Sequence, residues 1–294
     1  PGSKVSGSFD GASFTGIIRT GDEVYSIVPL SEVGYNGSSD WHALIDEKDV
    51  IDNGELCGTN TLGSSGRVNP GTSTPSFGTT FFLTEVGIDS DFEFYQQNNS
   101  SVGNTVADIE NVMNSVSEVY EDPSISITFE ISVLIVRTTS ADPYGTISGA
   151  GQLLNAFGNN WGTAPESQIQ RDVAHFFTGI NIDGGTIGIA ALSDICTSNA
   201  YGLSQSRFSS IFSRRIALTT HELGHNWSGT HCDSQGSCRI MCSVLSGCDG
   251  INPLSFSAAP TGQIVNYRNS RNCLSSKPPA LALPFFEEFP AGSV

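Results

Sequence analysis

Apolar positions alternate with polar ones early in the chain and shift to helical spacing later. The runs "FTGIIRT" and "EVYSIVPL" are short and half apolar, and they predict a small β-rich unit over residues 1–57. Residues 58–78 then lose the pattern. They are almost all Gly, Ser, Thr, Pro and Asn, with one basic residue, Arg67, so a flexible linker and a domain boundary are expected there. Beyond it, "TTFFLTEVGI" predicts a strand, and 106–121 carries apolar residues at the spacing of a helix. "ISITFEISVLIVRT" (125–138) is a long β-rich run. "GQLLNAFGNNW" predicts a helix, "DVAHFFTGI" a strand, and 184–196 a glycine-bounded strand leading into Cys196. Residues 213–228 are helical in pattern, and 258–273 predict a final helix. Strands and helices alternate first, with helix and loop after, so the fold class is a layered α/β or α+β domain without internal repeats.

Composition narrows the class. Hydrophobic residues make up 38% and charged ones 15%, with 32 glycines, which suits a globular, loop-rich chain. The net charge of −17, from 13 basic and 30 acidic residues, repels phosphate backbones and argues against a nucleic-acid partner. It fits solubility outside the cell. No apolar run approaches the roughly 20 residues of a membrane span. The opening "PGSKVSG" reads as a trimmed end, from which a signal peptide has been removed. The tail 277–294, Pro-rich and then acidic-aromatic, reads as the lead into a further module. Sequons at Asn36, Asn98, Asn99 and Asn226 carry no weight, because the last lies inside a predicted helix.

Six of the seven cysteines, Cys196, Cys232, Cys238, Cys242, Cys248 and Cys273, lie in the last third of the chain. Such clustering predicts disulfides and an oxidising compartment, with 231–250 as bridged loops. Cys57 is the odd thiol.

Three of the five histidines fall in "THELGHNWSGTH". On a helix His221 and His225 share a face, so both imidazoles can reach one metal ion. Glu222 lies one step round, placed to hold a water without being a ligand. If the helix stops near Ser228 and Gly229 and the chain turns back, His231 supplies a third nitrogen. Three neutral imidazoles with an open fourth position suit catalytic Zn²⁺. His42 and His175 are expected to be structural.

"HELGHNWSGTH" resembles the extended zinc signature of the metzincin metalloproteases, and Met241 in "CRIMCS" matches their methionine turn. Within that group the match is to the adamalysin or reprolysin branch, the family of snake-venom metalloproteinases and ADAM proteases, as a bacterial-type or divergent member. "DGGTIGIAALSDIC" is similar to the rim strand of that branch, and "LSFSAAPTGQI…NC" to its last helix and cysteine. Ser243, where astacins and serralysins carry tyrosine, counts against those groups.

The resemblance implies a twisted, mostly parallel sheet with one antiparallel edge strand. Helices pack on it, and a zinc cleft lies between a larger N-terminal and a smaller disulfide-bridged C-terminal subdomain. It implies a catalytic domain over 79–276, with Thr186, Ile187, Gly188, Ile189 and Ala190 binding extended substrate by β-augmentation. Glu222 would be the general base, Met241 an apolar floor, and Cys196–Cys273 a bridge. Cys232, Cys238, Cys242 and Cys248 would pair among themselves in one of three ways. Cys57-Gly58 resembles the propeptide segment whose thiolate fills the fourth zinc position. On that reading residues 1–57 are an inhibitory prodomain acting in cis and 58–78 the activation region; a buried free thiol or a bridge to another chain are the alternatives for Cys57. A calcium site is not carried over, because its acidic ligands find no match. Two departures concern the local loop. Ser228 stands where the family has glycine, so the turn is expected to be built differently, and Cys232 precedes the acid Asp233. The expected protein is a secreted, monomeric, latent zinc endopeptidase acting on protein substrates. The competing readings are a non-catalytic, zinc-stabilised binding module on the same fold, and a zinc hydrolase of non-peptide substrates.

Overall fold

The structure is a computed structural model that describes residues 3–277, apart from 10–12, 37, 39, 52–53, 60–80, 236, 246, 249–250 and 252–253. The predicted linker, except Gly58 and Thr59, and the tail, except Lys277, lie outside the described residues, as does Arg67.

Four strands, β1 (Lys4–Phe9), β2 (Phe14–Thr20), β3 (Glu23–Pro29) and β4 (His42–Asp46), form an antiparallel meander in that order. Period-two patterning sends Val24, Ser26 and Val28 of β3 inward. His42 is structural here: its Nε2 accepts the Phe14 N–H at 2.9 Å. The buried face is continuous with the rest of the protein. Ile17, Val24 and Val28 share one apolar cluster with residues beyond 80, so the β-rich unit has no core separate from its neighbour.

The second sheet starts from β5 (Leu56–Cys57) and continues with β6 (Phe81–Ser90), β7 (Ile127–Val136), β8 (Val173–Phe177), β9 (Thr186–Ala190), β10 (Tyr201–Ser204) and β11 (Ser275–Lys277). Its order is β7-β6-β8-β10-β9-β5, with β11 antiparallel beside the first residues of β6. Strands β7, β6, β8 and β10 run parallel, and β9 is antiparallel to β10. The expected antiparallel strand is therefore present, but it is not the edge. Residues Leu56–Cys57 pair parallel to β9 and cover it.

Helices α1 (Phe92–Gln97) and α2 (Val102–Tyr120) follow β6, α3 (Ala150–Trp161) follows β7, α4 (Phe212–Asn226) follows β10, and α5 (Ala258–Asn269) comes last. Ser101 caps α2 by accepting the Asn104 N–H at 3.3 Å, which starts the helix earlier than its apolar periodicity suggests. Leu153, Phe157 and Trp161 of α3 pack on Phe176, Ile189 and Leu203 from one side of the sheet. Ile109, Val112 and Val116 of α2 and Phe212 and Ile216 of α4 lie in the cluster that holds Val86, Ile88 and Ile187.

Several boundaries differ from the pattern. The strand expected over 184–196 ends at Ala190, where the chain turns, and β10 ("YGLS") carries too short and polar a signal to be read. Helix α4 stops at Asn226 and α5 at Asn269, each short of the predicted end. The structure pairs Cys196 with Cys273, Cys232 with Cys238, and Cys242 with Cys248, and leaves Cys57 free. Among the described residues no helix is long and apolar enough to cross a membrane.

Candidate metal centre

Every residue of α4 is buried, although its sequence is largely polar. Helical spacing stacks His221 and His225 on one side, and each has its Nδ1 fixed by a backbone carbonyl: Ile240 O at 2.5 Å and Gly229 O at 2.8 Å. Each carbonyl accepts a hydrogen bond from the Nδ1–H, so the neutral ring carries its hydrogen there and both Nε2 atoms are left as bare acceptors.

After α4 the chain reverses. Ser228 takes φ +74°, so it occupies the left-handed conformation that favours glycine, at a cost of about 1–2 kcal/mol. The turn thus keeps the glycine geometry with serine in it, contrary to the expected rebuilding. The Ser228 N–H donates to His225 O at 2.8 Å, and the Gly229 N–H to Gly224 O at 2.7 Å. Gly229 is needed for room rather than for φ, since a Cβ there would sit 2.9 Å from Gly224 O. This reversal brings His231 back to the helix. The three Nε2 atoms then lie 3.0, 3.1 and 3.1 Å apart. Cys57 Sγ lies 3.4 Å from His225 Nε2, and the four ligand atoms fall within 4.8 Å of one another.

The donor chemistry tests whether a metal fits. Burial pushes His221 down to about 3 and His225 well below its ordinary value, and it lowers His231 as well, so all three rings are neutral at pH 7. Three neutral imidazole lone pairs at 3 Å repel one another unless a cation sits among them. A tetrahedral zinc with Zn–N of 2.0–2.1 Å would space its nitrogens about 3.3 Å apart, close to the arrangement found. The residues fit the ion.

Glu222 is fully buried, and desolvation raises its carboxyl to about 8. Its Oε1 has no hydrogen-bond partner, and Oε2 is 3.6 Å from Cys57 Sγ. A nearby dication would bring the carboxyl back down. Gly188 of β9 makes space for it, since a Cβ there would come within 2.4 Å of Glu222 Oε1. Met241 is buried beneath the helix, its Sδ placed 2.8 Å from where a Cβ on Gly224 would stand. His175 is buried away from the centre, with Nε2 2.9 Å from Ser204 Oγ. Asn226 is also buried, and its amide donates to Ala191 O at 2.9 Å and Tyr201 O at 3.0 Å, so this sequon position is closed to a glycan.

Two walls flank the centre. On one side runs β9, Thr186–Ala190. On the other run residues 243–245, held by Asp233, whose Oδ1 accepts the Ser243 N–H at 3.0 Å. Residues 55–59 lie between them. The Cys57 N–H donates to Ser243 O at 3.0 Å, the Leu245 N–H to Glu55 O at 2.9 Å, and the Gly58 N–H to Gly188 O at 2.8 Å. Thr59 Oγ1 lies 3.2 Å from the Ala190 N, from which it accepts, and 3.3 Å from the Ala190 O, to which it donates; it is also 3.2 Å from Cys57 Sγ. Gly58 and Thr59 therefore belong to the docked segment, although composition places them in the linker. Thr59, the spacing role of Gly188 and the wall at 243–245 were not legible in the sequence. Only the wall's place just after Met241 could have signalled it.

A helix presenting converging imidazoles and a buried carboxylate, beside a rim strand, defines the metallopeptidase class. The profile of metallo-peptidase family M12, in its reprolysin branch, matches residues 84–275, and the chain belongs to that family. It is similar to the snake venom metalloproteinase trimerelysin-2 of Protobothrops flavoviridis, 27% identical over 164 residues, covering 55% of this chain and 79% of that protein. It is also similar to the zinc metalloproteinase-disintegrin-like brevilysin H2a of Gloydius brevicauda, 31% identical over 122 residues, or 41% of this chain and 28% of that protein. A solved chaperone–substrate complex aligns over 64% of this chain and 35% of its own, with a TM-score of 0.45 and 12% identity, too distant to bear on the fold. The family and these relatives make the chain a zinc-dependent metallopeptidase with protein substrates, and its disulfides are consistent with an extracellular setting.

Proposed function

We propose that this is a secreted zinc endopeptidase held in a latent form. His221, His225 and His231 hold the zinc, Cys57 takes the fourth position, and Glu222 is the general base. Residues 1–57 act as an inhibitory prodomain, 58–78 as the activation region, 79–276 as the catalytic domain with its cleft between two subdomains, and 277–294 as a lead into a further module. The observation that carries the reading is the convergence of three neutral Nε2 atoms at 3.0–3.1 Å with a thiol sulfur beside them.

When bound, zinc supplies Lewis acidity that polarises the scissile carbonyl and makes water acidic. The other steps belong to the chain. With residues 55–59 gone, β9 and residues 243–245 bind an extended peptide through the same backbone groups and exclude water from it. Glu222 Oε1, without another partner, accepts the proton of the attacking water and passes it to the leaving amine. The imidazoles stay neutral throughout, each of His221 and His225 pinned by its carbonyl.

The binding-module reading is disfavoured by Glu222. A buried carboxylate with an unpartnered oxygen costs stability and has no use in a merely structural site. The test compares peptidase activity of the intact chain with that of intact Cys57→Ala, both carrying about one zinc. The wild type should be nearly inactive and the variant clearly active, since water replaces the thiolate. Equal activity would remove Cys57 as the latch, and absence of zinc would remove the metal site.

A further inference from the structure

One buried cation near the cleft has no role in the chemistry above. Arg214 stands on α4 two turns before His221, with its side chain only 2% exposed. Its Nη2 donates to the Glu55 carboxylate at 3.1 Å and its Nη1 to Ile51 O at 3.1 Å. On the adjoining residue, Ser213 Oγ donates to Glu47. All these acceptors belong to the segment that leaves on activation.

Glu55 is seated in the cleft itself. Its carbonyl accepts the Leu245 N–H at 2.9 Å, and the next residue, Leu56, bridges Val244 and pairs with Thr186. A residue held against Leu245 therefore sends its side chain to Arg214. Beside Leu56 and Cys57, between this end and the metal centre, a small cavity is lined by Ile187, Leu218 and Leu245 together with His221, Glu222 and Cys242. Once Ile51 and Glu55 depart, Arg214 loses the carbonyl at Nη1 and the carboxylate at Nη2. A substrate carboxylate replaces the Glu55 acceptor together with its charge, an amide offers an acceptor without the charge, and an ammonium offers neither.

We propose that Arg214 makes an anion-selective subsite in the processed enzyme, binding an acidic side chain of the substrate where Glu55 sits in the latent chain. This deepens the endopeptidase reading and rests on it. The subsite rejects basic residues at the same place by leaving two cations together.

The test uses the full chain, folded with zinc, cut in the linker and freed of residues 1–57. Peptide pairs differing only by Glu or Gln are compared at each position flanking the scissile bond. One position should favour Glu by about tenfold or more in kcat/KM, and Arg214→Gln should bring that ratio close to one. Equal rates for Glu and Gln at every position, or a preference that survives Arg214→Gln, would overturn the subsite. A structural role alone would lower both peptides together and leave the ratio unchanged. If Arg214→Gln does not fold, the peptide pairs on the unmutated enzyme still decide, with Arg214→Lys expected to keep part of the preference.

Failure to cleave any peptide would count against the endopeptidase reading. The subsite is then read by binding of a labelled peptide of residues 54–59, with Glu55 or Gln at that place. About tenfold weaker binding of the Gln form supports the subsite, and equal affinity removes it.

Discussion

At the first turn of α4, Ser213, Arg214 and Arg215 are buried, and in its last turns His221, Glu222 and His225 are buried as deeply. The two sets are satisfied in opposite ways. In the first, every charge meets an opposite partner: Arg215 reaches Asp108 at 2.7 Å, Arg214 reaches Glu55 at 3.1 Å, and the Ser213 N–H donates to Ser26 Oγ at 2.9 Å. In the second, acceptors face acceptors, and Glu222 Oε1 meets nothing. Burial of polar groups alone does not mark a centre of chemistry. The mark is a buried set whose protein partners do not complete it.

The sharpest way to break the contrast is at the incomplete end. His225→Ala should lose bound zinc and all peptidase activity of the processed enzyme, and its melting temperature should no longer respond to a chelator. Metal analysis and melting curves check this. A variant that still holds one zinc at wild-type affinity would put the ion elsewhere.

At the complete end, Asp108→Ala leaves the Arg215 guanidinium buried without its carboxylate, and Arg207, 3.1 Å from the same group, loses a partner too. The expected loss is about 3–5 kcal/mol of stability, with zinc content unchanged in whatever remains folded. Denaturant unfolding measures it. A loss below about 1 kcal/mol would mean that the pair is as weak as a surface one.

The smallest effect sharpens the turn between the two. Ser228→Gly relieves the left-handed φ and should stabilise the protein by up to about 1 kcal/mol without changing zinc affinity, since the loss of the Ser193 hydroxyl contact at 2.9 Å offsets part of the gain. A destabilised Gly variant would show that the serine pair matters more than the backbone strain.

The legible part of this protein is that written in local spacing. Apolar periodicity marks α2 and α3, because each buries one face and the period survives in the residues, and unbroken β-rich runs mark β6 and β7. The i, i+4 histidines with the intervening Glu222 are equally local, and so is His231 once a turn is granted at Ser228. Strand β10 escaped because four residues between two turns carry too few apolar positions for a period. The pattern runs past the end of α4 because Trp227, apolar and buried four residues after Leu223, continues the helical spacing while Ser228 breaks the backbone.

The sequence by itself determined the metal-binding chemistry: the residue types, their order along one helix, and the return of a third imidazole. Tertiary structure decided what surrounds them. That Thr59 spans both backbone groups of Ala190, that Gly188 yields space to Glu222, and that Arg214 waits behind Glu55 are contacts between residues far apart in the chain. No periodicity records them, because each depends on how the β-rich segment packs against α4 and lays its end between β9 and the wall at 243–245.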